Sequence, residues 1–185
     1  MPEIEIRPAT AFDIPKLIEM DHDYVSDHVW QMEVHQESGQ KPSDSQINII
    51  FRQLQLPRSV RVAYPRPPSR LVDDWSDRSC LLVAALQDEV VGYSSMELTI
   101  APLTTWMTDL VVMRRVRRQG IGSALVLAGQ EWARHKGSYR LVLEMQPKNY
   151  PAICLAQKLG FDLCGYNDRY FANHDIALFF AKAIR

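Results

Sequence analysis

The sequence predicts an α/β fold of the mixed α+β kind, with helices flanking a central sheet of about seven strands. Short alternating or continuous apolar runs, typical of strands, recur along the chain. Two of these runs, within 80–98, are separated only by Gln-Asp-Glu, which favours an antiparallel hairpin. Strand and helix patterns then alternate, as in α/β crossovers. The 185 residues suffice for a single domain, 1–185, with a sizeable core.

The segment before residue 80 is predicted to contain one strand, two helices and two irregular stretches. Isoleucines alternate with charged residues in 3–7, as in a short strand. A helix is predicted from an N-cap at Thr10, and a second helix over 46–56, because apolar residues recur at helical spacing in both. We expect a loop at 37–45 and an exposed, irregular insert at 56–75, which contains four prolines.

From residue 80 onward, strands predominate and two helices lie between them. Besides the hairpin, the predicted strands are 104–112, 140–146, 161–166 and 175–184. The predicted helices are 123–135 and 149–160, the second closed by Gly160.

The composition is typical of a soluble protein of the cytoplasm. Apolar residues make up 46% of the chain and charged residues 23%, and the net charge of −1 argues against a grip on nucleic acid or acidic membranes. No window approaches the ~18 apolar residues of a membrane span, and the first ten residues do not resemble a signal peptide. We therefore expect neither a nucleic-acid nor a membrane partner, with a monomer and a homodimer both open.

Neither the cysteines nor the histidines suggest a metal site or a disulfide framework. The three cysteines have no CxxC spacing, which favours free thiols in a reducing compartment. The histidines within 22–35 have no fourth ligand pattern, so we predict no metal.

Two glycines separate a predicted strand from a predicted helix at 116–123. The start of a helix exposes unpaired N–H groups, and Gly120 and Gly122 lack side chains that would keep an anion away. Arg117 and Arg118 add positive charge. The chemistry that this pattern suggests is a pyrophosphate held by main-chain amides.

The spacing excludes two common nucleotide motifs. Leu125 occupies the third glycine position of GxGxxG, and GxxxxGK[ST] is absent. A plain helix start with a solvated basic run, and contact with nucleic acid, remain open on these residues alone.

The order of two motifs resembles that of the GNAT N-acetyltransferases. Arg117-x-x-Gly120-x-Gly122 is similar to the family's R/Q-x-x-G-x-G/A motif, and "LVLEMQPKNYPAICLAQKLGF" to its next strand and helix. "GIGSAL", "EWARHKG" and "YFAN" are similar in sequence and interval to streptothricin acetyltransferases. The resemblance implies acetyl-CoA as cofactor, an acceptor side in 1–79 formed by helices and the insert, and a cofactor-binding sheet in 80–185.

The resemblance also implies which residues bind the cofactor. The strand before the motif would diverge from its parallel neighbour, and the pantetheine arm would pair with it, with the acetyl carbonyl bonded near Val111 or Val112. The implied cofactor-binding residues are Leu110, Val111, Val112, Arg117, Arg118, Gln119, Gly120, Ile121, Gly122, Ser123, Asn149 and Ala152.

Acetyl transfer to an amine needs a proton acceptor. Glu144 matches the general base of the ribosomal-protein acetyltransferases, and Asp109 is the second candidate; either could instead be a solvated strand carboxylate. Where many members carry a tyrosine that protonates the leaving thiolate, this chain has Ala156. The remaining candidate proton donors are Tyr150, Tyr166 and Tyr170, of which we take Tyr170 as catalytic. A thiolate with a parent pKa of ~8.5 can also leave unassisted.

The acceptor is predicted to be the primary amine of a small cationic molecule, such as a streptothricin-like antibiotic. Segment 19–34 is rich in acids and aromatics, which suit ion pairing and cation–π contact, although a solvated helix face explains the same pattern. The insert at 56–75 is expected to cover the acceptor cleft. A protein N-terminus or lysine as acceptor, and a non-catalytic acyl-CoA-binding module, are the alternatives.

Overall fold

Nine strands and four helices follow one another within residues 3–37 and 46–184, which the computed structural model describes. The strands are β1 (Ile4–Pro8), β2 (Tyr24–Glu37), β3 (Gln46–Val62), β4 (Cys80–Leu86), β5 (Glu89–Ala101), β6 (Thr104–Val112), β7 (Arg140–Met145), β8 (Asp162–Asn167) and β9 (Ala177–Ala183). The helices are α1 (Ile14–Glu19), α2 (Arg70–Asp74), α3 (Ile121–His135) and α4 (Tyr150–Lys158).

Seven of the strands form one sheet in the order β1-β4-β5-β6-β7-β9-β8, and β2 pairs with β3 in a separate two-stranded sheet. Neighbours in the large sheet are antiparallel except β6 and β7, which are parallel. A parallel pair requires a crossover connection, and α3 provides it. The predicted mixed α/β fold with about seven central strands is confirmed.

Helices cover the two faces of the large sheet. On one face, Leu125 of α3 and Ile153 of α4 are fully buried in a cluster with Leu141 and Phe180 of the strands. On the other face, Leu17 of α1 belongs to a second cluster with residues of β4, β5 and β6. Full burial of each such aliphatic side chain contributes roughly 1.5–3 kcal/mol. The sheet therefore lies between two apolar layers.

The parallel strands β6 and β7 stay together for only part of their length. Their pairing runs from Thr104↔Arg140 to Met107↔Leu143 and ends there, although both strands continue. On the opposite edge of β6, the register shifts so that Thr108 has no partner on β5. Such a bulge bends the strand that contains it. A slot opens between 108–112 and 144–145, as the resemblance implied.

The predicted helix at 46–56 is wrong, because these residues belong to β3. The apolar residues that gave the helical spacing, Ile47, Ile50 and Leu54, are exposed by 62%, 39% and 41%. Ile47 and Ile49 instead lie on one face of the hairpin opposite Gln36 and Val34, with the period of two that a strand imposes. Long-range pairing with β2 therefore overrides the local helical pattern.

The first helix and the insert are also shorter than predicted. Helix α1 is N-capped by Asp13 rather than Thr10, and Tyr24 already begins β2. Within 56–75, the chain continues as β3 up to Val62 and forms α2, so only 63–69 and Trp75 lie outside regular structure. Pro57 lies where the β2–β3 register is interrupted, a place where a missing N–H costs no ladder bond. The predicted loop lies outside the described residues except Glu37, which ends β2.

Candidate active site

The loop that leads into α3 presents a row of open main-chain donors. Gly120 is the N-cap with φ of 91°, Arg118 has φ of 67°, and the first helical bond runs from the N–H of Ala124 to the Gly120 carbonyl at 2.9 Å. Between the described residues, no hydrogen bond uses the main-chain N–H groups of 118–123 as donors. Together with the positive end of the helix dipole, these groups form a site suited to an anion such as a diphosphate.

The two glycines of this loop have different roles. A Cβ added to Gly120 would meet no atom within 4 Å, so this position is open to solvent or a ligand, but its left-handed φ disfavours other residues. A Cβ added to Gly122 would lie 3.2 Å from Leu155, so Gly122 lets α3 approach α4 closely. Gln119 is exposed, Ser123 is partly exposed and Ile121 is buried in the core.

Arg117 does not point its charge toward the open donors. Its guanidinium donates to the main-chain carbonyls of Val112 at 2.7 Å, Asp21 at 3.1 Å and Asp23 at 3.0 Å. Burial lowers the pKa of this guanidinium. Arg117 therefore fixes the loop to the end of β6, while the exposed Arg118 is the arginine of the motif that is free to meet an anion.

Strand geometry decides which peptide groups of β6 face the slot. The N–H of Met113 donates to the Val91 carbonyl at 2.8 Å, which makes Val91 and Met113 a hydrogen-bonded pair. Hydrogen-bonded and non-bonded pairs alternate along an antiparallel ladder, so every second pair of β5 and β6 before this one is also hydrogen-bonded. Val111 is in such a pair with Tyr93, and its N–H points to β5. The N–H and C=O groups of Leu110 and Val112 point the other way, into the slot. The open strand edge is thus at Leu110 and at the N–H of Val112, whose carbonyl accepts Arg117, and not at Val111.

A cavity lies between the separated strands and extends toward the helices. Its lining includes Leu110 of β6, Glu144 of β7, and Asn149, Ala152 and Leu155 around the start of α4. The Asn149 side-chain oxygen accepts the N–H of Ala152 at 3.2 Å and caps α4, which fixes this wall. Since Leu155 also contacts the position of Gly122, the cavity and the open donors of α3 are neighbours.

Glu144 is held at the end of this cavity. Its side chain is inaccessible to solvent, although the residue is partly exposed, so the accessible surface belongs to its main chain. Oε1 forms an ion pair with Arg66, and Oε2 accepts the Tyr170 hydroxyl at 3.0 Å. Burial raises the pKa of Glu144, and Arg66 and Tyr170 partly oppose that effect. The buried carboxylate is therefore more basic than an ordinary glutamate.

Asp109 has every oxygen engaged by other protein groups. Oδ1 accepts the Tyr64 hydroxyl at 2.7 Å, and Oδ2 accepts Arg78 at 2.9 Å. The side chain is 4% exposed. Asp109 is therefore built into a buried network with Tyr64 and Arg78.

A second, polar cavity lies next to the first and is lined mainly by charged side chains. These are Arg66, Arg70, Asp74, Asp77, Arg78, Glu97 and Asp109, with Thr108 and Tyr170. Arg66 and Thr108 line both cavities, so they form the boundary between them.

The acidic segment predicted to receive the acceptor lines neither cavity. Asp21 and Asp23 pair with Arg61, and Asp27 bonds to its neighbour His28. The Tyr24 hydroxyl donates to Gln146, and Trp30 packs on Phe180. Side chains that sequence reasoning missed, namely Tyr64, Arg66 and Arg78, surround the carboxylates instead. No local pattern marks them; the adjacent prolines around Arg66 are the only signal.

Of the three tyrosines predicted as candidate proton donors, one contacts Glu144. The Tyr170 hydroxyl contacts Glu144, whereas Tyr150 lies against His28 and Gln53, and Tyr166 against Phe51. Burial, followed by the charge of Glu144, raises the pKa of Tyr170 to about 12, so its proton stays in place near neutral pH. The structure therefore brings Glu144 and Tyr170 together beside the slot. Ala156, at the family's tyrosine position, is fully buried.

Comparison with known proteins identifies the class. Residues 48–161, more than half of the chain, match the model of the acetyltransferase (GNAT) family. The protein therefore belongs to the GNAT family of N-acetyltransferases. Among curated proteins, it is similar to streptothricin acetyltransferase of Streptomyces lavendulae, with 26% identity over 99 residues, 54% of this chain and 52% of that protein. The chain thus matches about half the length of that relative.

Solved structures share the fold across nearly the whole chain. A nourseothricin acetyltransferase superposes with a TM-score of 0.80 at 20% identity, covering 98% of this chain and 99% of that one. A Bacillus anthracis protein described as a streptothricin acetyltransferase, in complex with acetyl coenzyme A, gives 0.75 at 16% identity, covering 99% of each chain. The Escherichia coli ribosomal-protein-S18-alanine N-acetyltransferase gives 0.65 at 16%, covering 98% and 94%. At these identities the likeness establishes the fold.

Two kinds of feature are absent from the described residues. No helix there is long and apolar enough to cross a membrane. No group of three or more histidine, cysteine or acidic side chains in the same residues is arranged to hold a metal ion.

Proposed function

We propose that this protein transfers the acetyl group of acetyl-CoA to a primary amine of a small cationic molecule, with streptothricin-like antibiotics as the first candidates. One observation carries the proposal. An open strand edge at Leu110 and Val112 connects the free amides of α3 with the buried carboxylate of Glu144. If streptothricins are the acceptors, the protein would confer resistance to them.

The residues present fit acetyl-CoA, which supplies an activated acetyl thioester when bound. The amides of 118–123, with Arg118 nearby, would hold the diphosphate. The slot-facing peptide groups of Leu110 and Val112 would pair with the pantetheine amides as an added strand would. Leu110 lies nearer to Glu144 along the slot, so its N–H is the better placed to bond the acetyl carbonyl. Asn149 and Ala152 would form the opposite wall.

Glu144 would take one proton from the acceptor's ammonium group, and the second proton, which the nitrogen loses after attack, would go to the leaving thiolate of coenzyme A. An ammonium group with a pKa near ~10.4 is not nucleophilic at neutral pH, so a nearby base is required. Burial makes Glu144 suitable because it raises the pKa of the carboxyl toward the working pH. Tyr170 would hold the second oxygen of Glu144 in place, and Asp109 would organise the arginines around it.

The acceptor would enter through the polar cavity. Five of the nine residues that line this cavity lie within 66–78, so we place the acceptor side partly in 1–79 and treat 1–185 as one domain. Its carboxylates include Asp77 and Glu97, which form no ion pair among the described residues, and they would attract a polyamine.

The test is release of coenzyme A thiol from acetyl-CoA with nourseothricin, spermidine and an alanine-initiated peptide as separate acceptors. We expect turnover with nourseothricin or spermidine. Turnover with the peptide alone would replace the small amine with a protein N-terminus. Thermal stabilisation by acetyl-CoA without turnover on any acceptor would establish a binding module instead of an enzyme.

A further inference from the structure

Arg66 lies on the path that an acceptor amine has to take. The polar cavity and the slot cavity are separate, and the Arg66 side chain lines both. One of its nitrogens donates to the Thr108 carbonyl at 2.9 Å, and the other forms the ion pair with Glu144. Its side chain is 18% exposed. The guanidinium therefore closes the passage from the polar cavity to Glu144.

The two carboxylates at this passage differ in how they are neutralised. Asp109 keeps Arg78 as a partner at 2.9 Å and has Arg66 only at 3.7 Å. Among the described residues, Arg66 is the single cation that pairs with Glu144. A buried carboxylate without a cation is costly, so Glu144 must keep one at every stage.

The main chain around Arg66 is restrained, so a movement of its charge has to come from the side chain. Pro65 precedes it and Pro67 follows it, and a residue before proline is confined to extended conformations. The loop therefore cannot easily move as a lid. The guanidinium can rotate about its side-chain bonds toward Asp109, which is already within 3.7 Å.

We propose that Arg66 is a placeholder for the acceptor, a positioning residue that neutralises Glu144 in the free enzyme and is displaced from it by the acceptor's ammonium group. The exchange replaces one cation by another, so the carboxylate is never left unpaired. The ammonium then gives its proton to Oε1 of Glu144 and becomes a neutral amine, while Arg66 pairs with the carboxylates of the polar cavity. Acceptors without a positive charge cannot make this exchange. The inference rests on the proposed function.

Substitution of Arg66 by methionine tests the exchange through the pH dependence of turnover. The charged and titratable groups that face Glu144 are Arg66 from the loop, Asp109 from β6 and Tyr170 from the segment before β9. The profile of kcat/KM reports the free enzyme, and that of kcat reports the acceptor complex. In Arg66→Met, we expect the acidic limb of the kcat/KM profile to shift to higher pH by about one unit or more. The acidic limb of the kcat profile should stay at the wild-type pH.

Other results would overturn the inference. If both limbs move equally, Arg66 stays on Glu144 throughout the reaction, and if neither moves, it is not the counter-ion. Arg66→Lys should restore the wild-type limb, because it retains a cation. Arg70→Met removes a cation from the same cavity without contact to Glu144, and should leave both limbs unchanged.

A carbon-13 titration of the Glu144 carboxyl separates this inference from the proposed function. The resonance is assigned by its loss in Glu144→Gln, and the titration needs no turnover. We expect Arg66→Met to raise the pKa of the Glu144 carboxyl in the free protein. When coenzyme A and nourseothricin or spermidine are added, this pKa should become the same in the wild type and the variant. Absence of turnover in the wild type would reject the proposed function alone. Unequal pKa values in the complex, or no effect of either amine on the wild-type resonance, would reject the exchange.

Discussion

The two cavities that meet at Arg66 are built from different kinds of groups. The slot between β6 and β7 offers main-chain groups and apolar walls, and the start of α3 adds open N–H donors. The polar cavity is lined by charged side chains that come mainly from the loop after β3, from α2 and from the residues that follow α2. Backbone geometry defines the first site and side-chain identity the second. Under the proposed function, recognition of the acetyl donor would depend on the fold, and recognition of the acceptor on side chains specific to this chain.

The largest effect is expected where the two cavities join, at Glu144. Glu144→Gln should lower kcat by about 10²–10⁴, because it removes the proton acceptor, and should leave acetyl-CoA affinity nearly unchanged. In the wild type, kcat/KM should fall as the pH drops through the pKa of Glu144, which burial raises above that of an ordinary glutamate. Steady-state rates across pH and calorimetric titration with acetyl-CoA measure both effects. If Asp109→Asn alone abolishes turnover without loss of stability, the base is Asp109.

Asp109 tests whether the ion pairs at the inner wall of the polar cavity stabilise the fold. Asp109→Asn leaves the Arg78 guanidinium, 10% exposed, with Asp74 as its remaining ion-pair partner. We expect the free energy of unfolding to fall by about 3 kcal/mol, as for a buried ion pair that loses one member. Urea unfolding measures this fall, with Asp77→Asn as the control because Asp77 lines the same cavity but is exposed. Equal stabilities of the two variants would contradict the assignment.

Gly120 tests whether main-chain N–H groups bind the diphosphate of acetyl-CoA. Gly120→Glu should weaken acetyl-CoA binding about a hundredfold, or roughly 2.8 kcal/mol, because a carboxylate would compete with the diphosphate for the open amides. Gly137 is a matched control at the other end of α3, with φ of 78° and no atom within 4 Å of an added Cβ. Gly137→Glu should therefore carry the same strain without loss of affinity. Equal losses of acetyl-CoA affinity in the two variants, measured by calorimetry, would show that the diphosphate does not bind at this loop.

The smallest effect is expected at the wall of the slot. Asn149→Ala removes the cap of α4 and should lower the free energy of unfolding by about 1 kcal/mol. Asn149→Ser should retain most of the stability, since serine caps helices about as well. Thermal unfolding of both variants measures the difference, and identical melting temperatures would show that the cap does not stabilise α4.

The comparison also separates what could be predicted from what could not. Strand β6 runs over 104–112 as predicted, and α3 starts at Ile121, two residues before the predicted start. Both depend on local signals, an alternating apolar pattern and a pair of glycines before an amphipathic run. The prediction for the segment around β3 failed because its conformation depends on pairing with β2, while its own residues fit a helix equally well.

The same distinction applies within the site. The motif located the open amides, Glu144 and the slot, but it gave Arg117 a place beside the anion, whereas the structure turns that side chain toward three carbonyls. Alternation along β6, once its pairing with β5 was known, moved the open edge from Val111 to Leu110 and Val112. Arg66 had no periodic signal at all.

By itself, the sequence determined the order of strands and helices from residue 80 onward, the glycine turn before α3 and the family. Those features follow from contacts between residues close together in the chain, or from glycines whose effect is local. The tertiary structure decided how far β6 and β7 stay paired, which carboxylate is left buried with a single cation, and which arginine reaches it. Arg66 and Glu144 are 78 positions apart, and only the packing of the loop after β3 against the sheet brings their charges into contact.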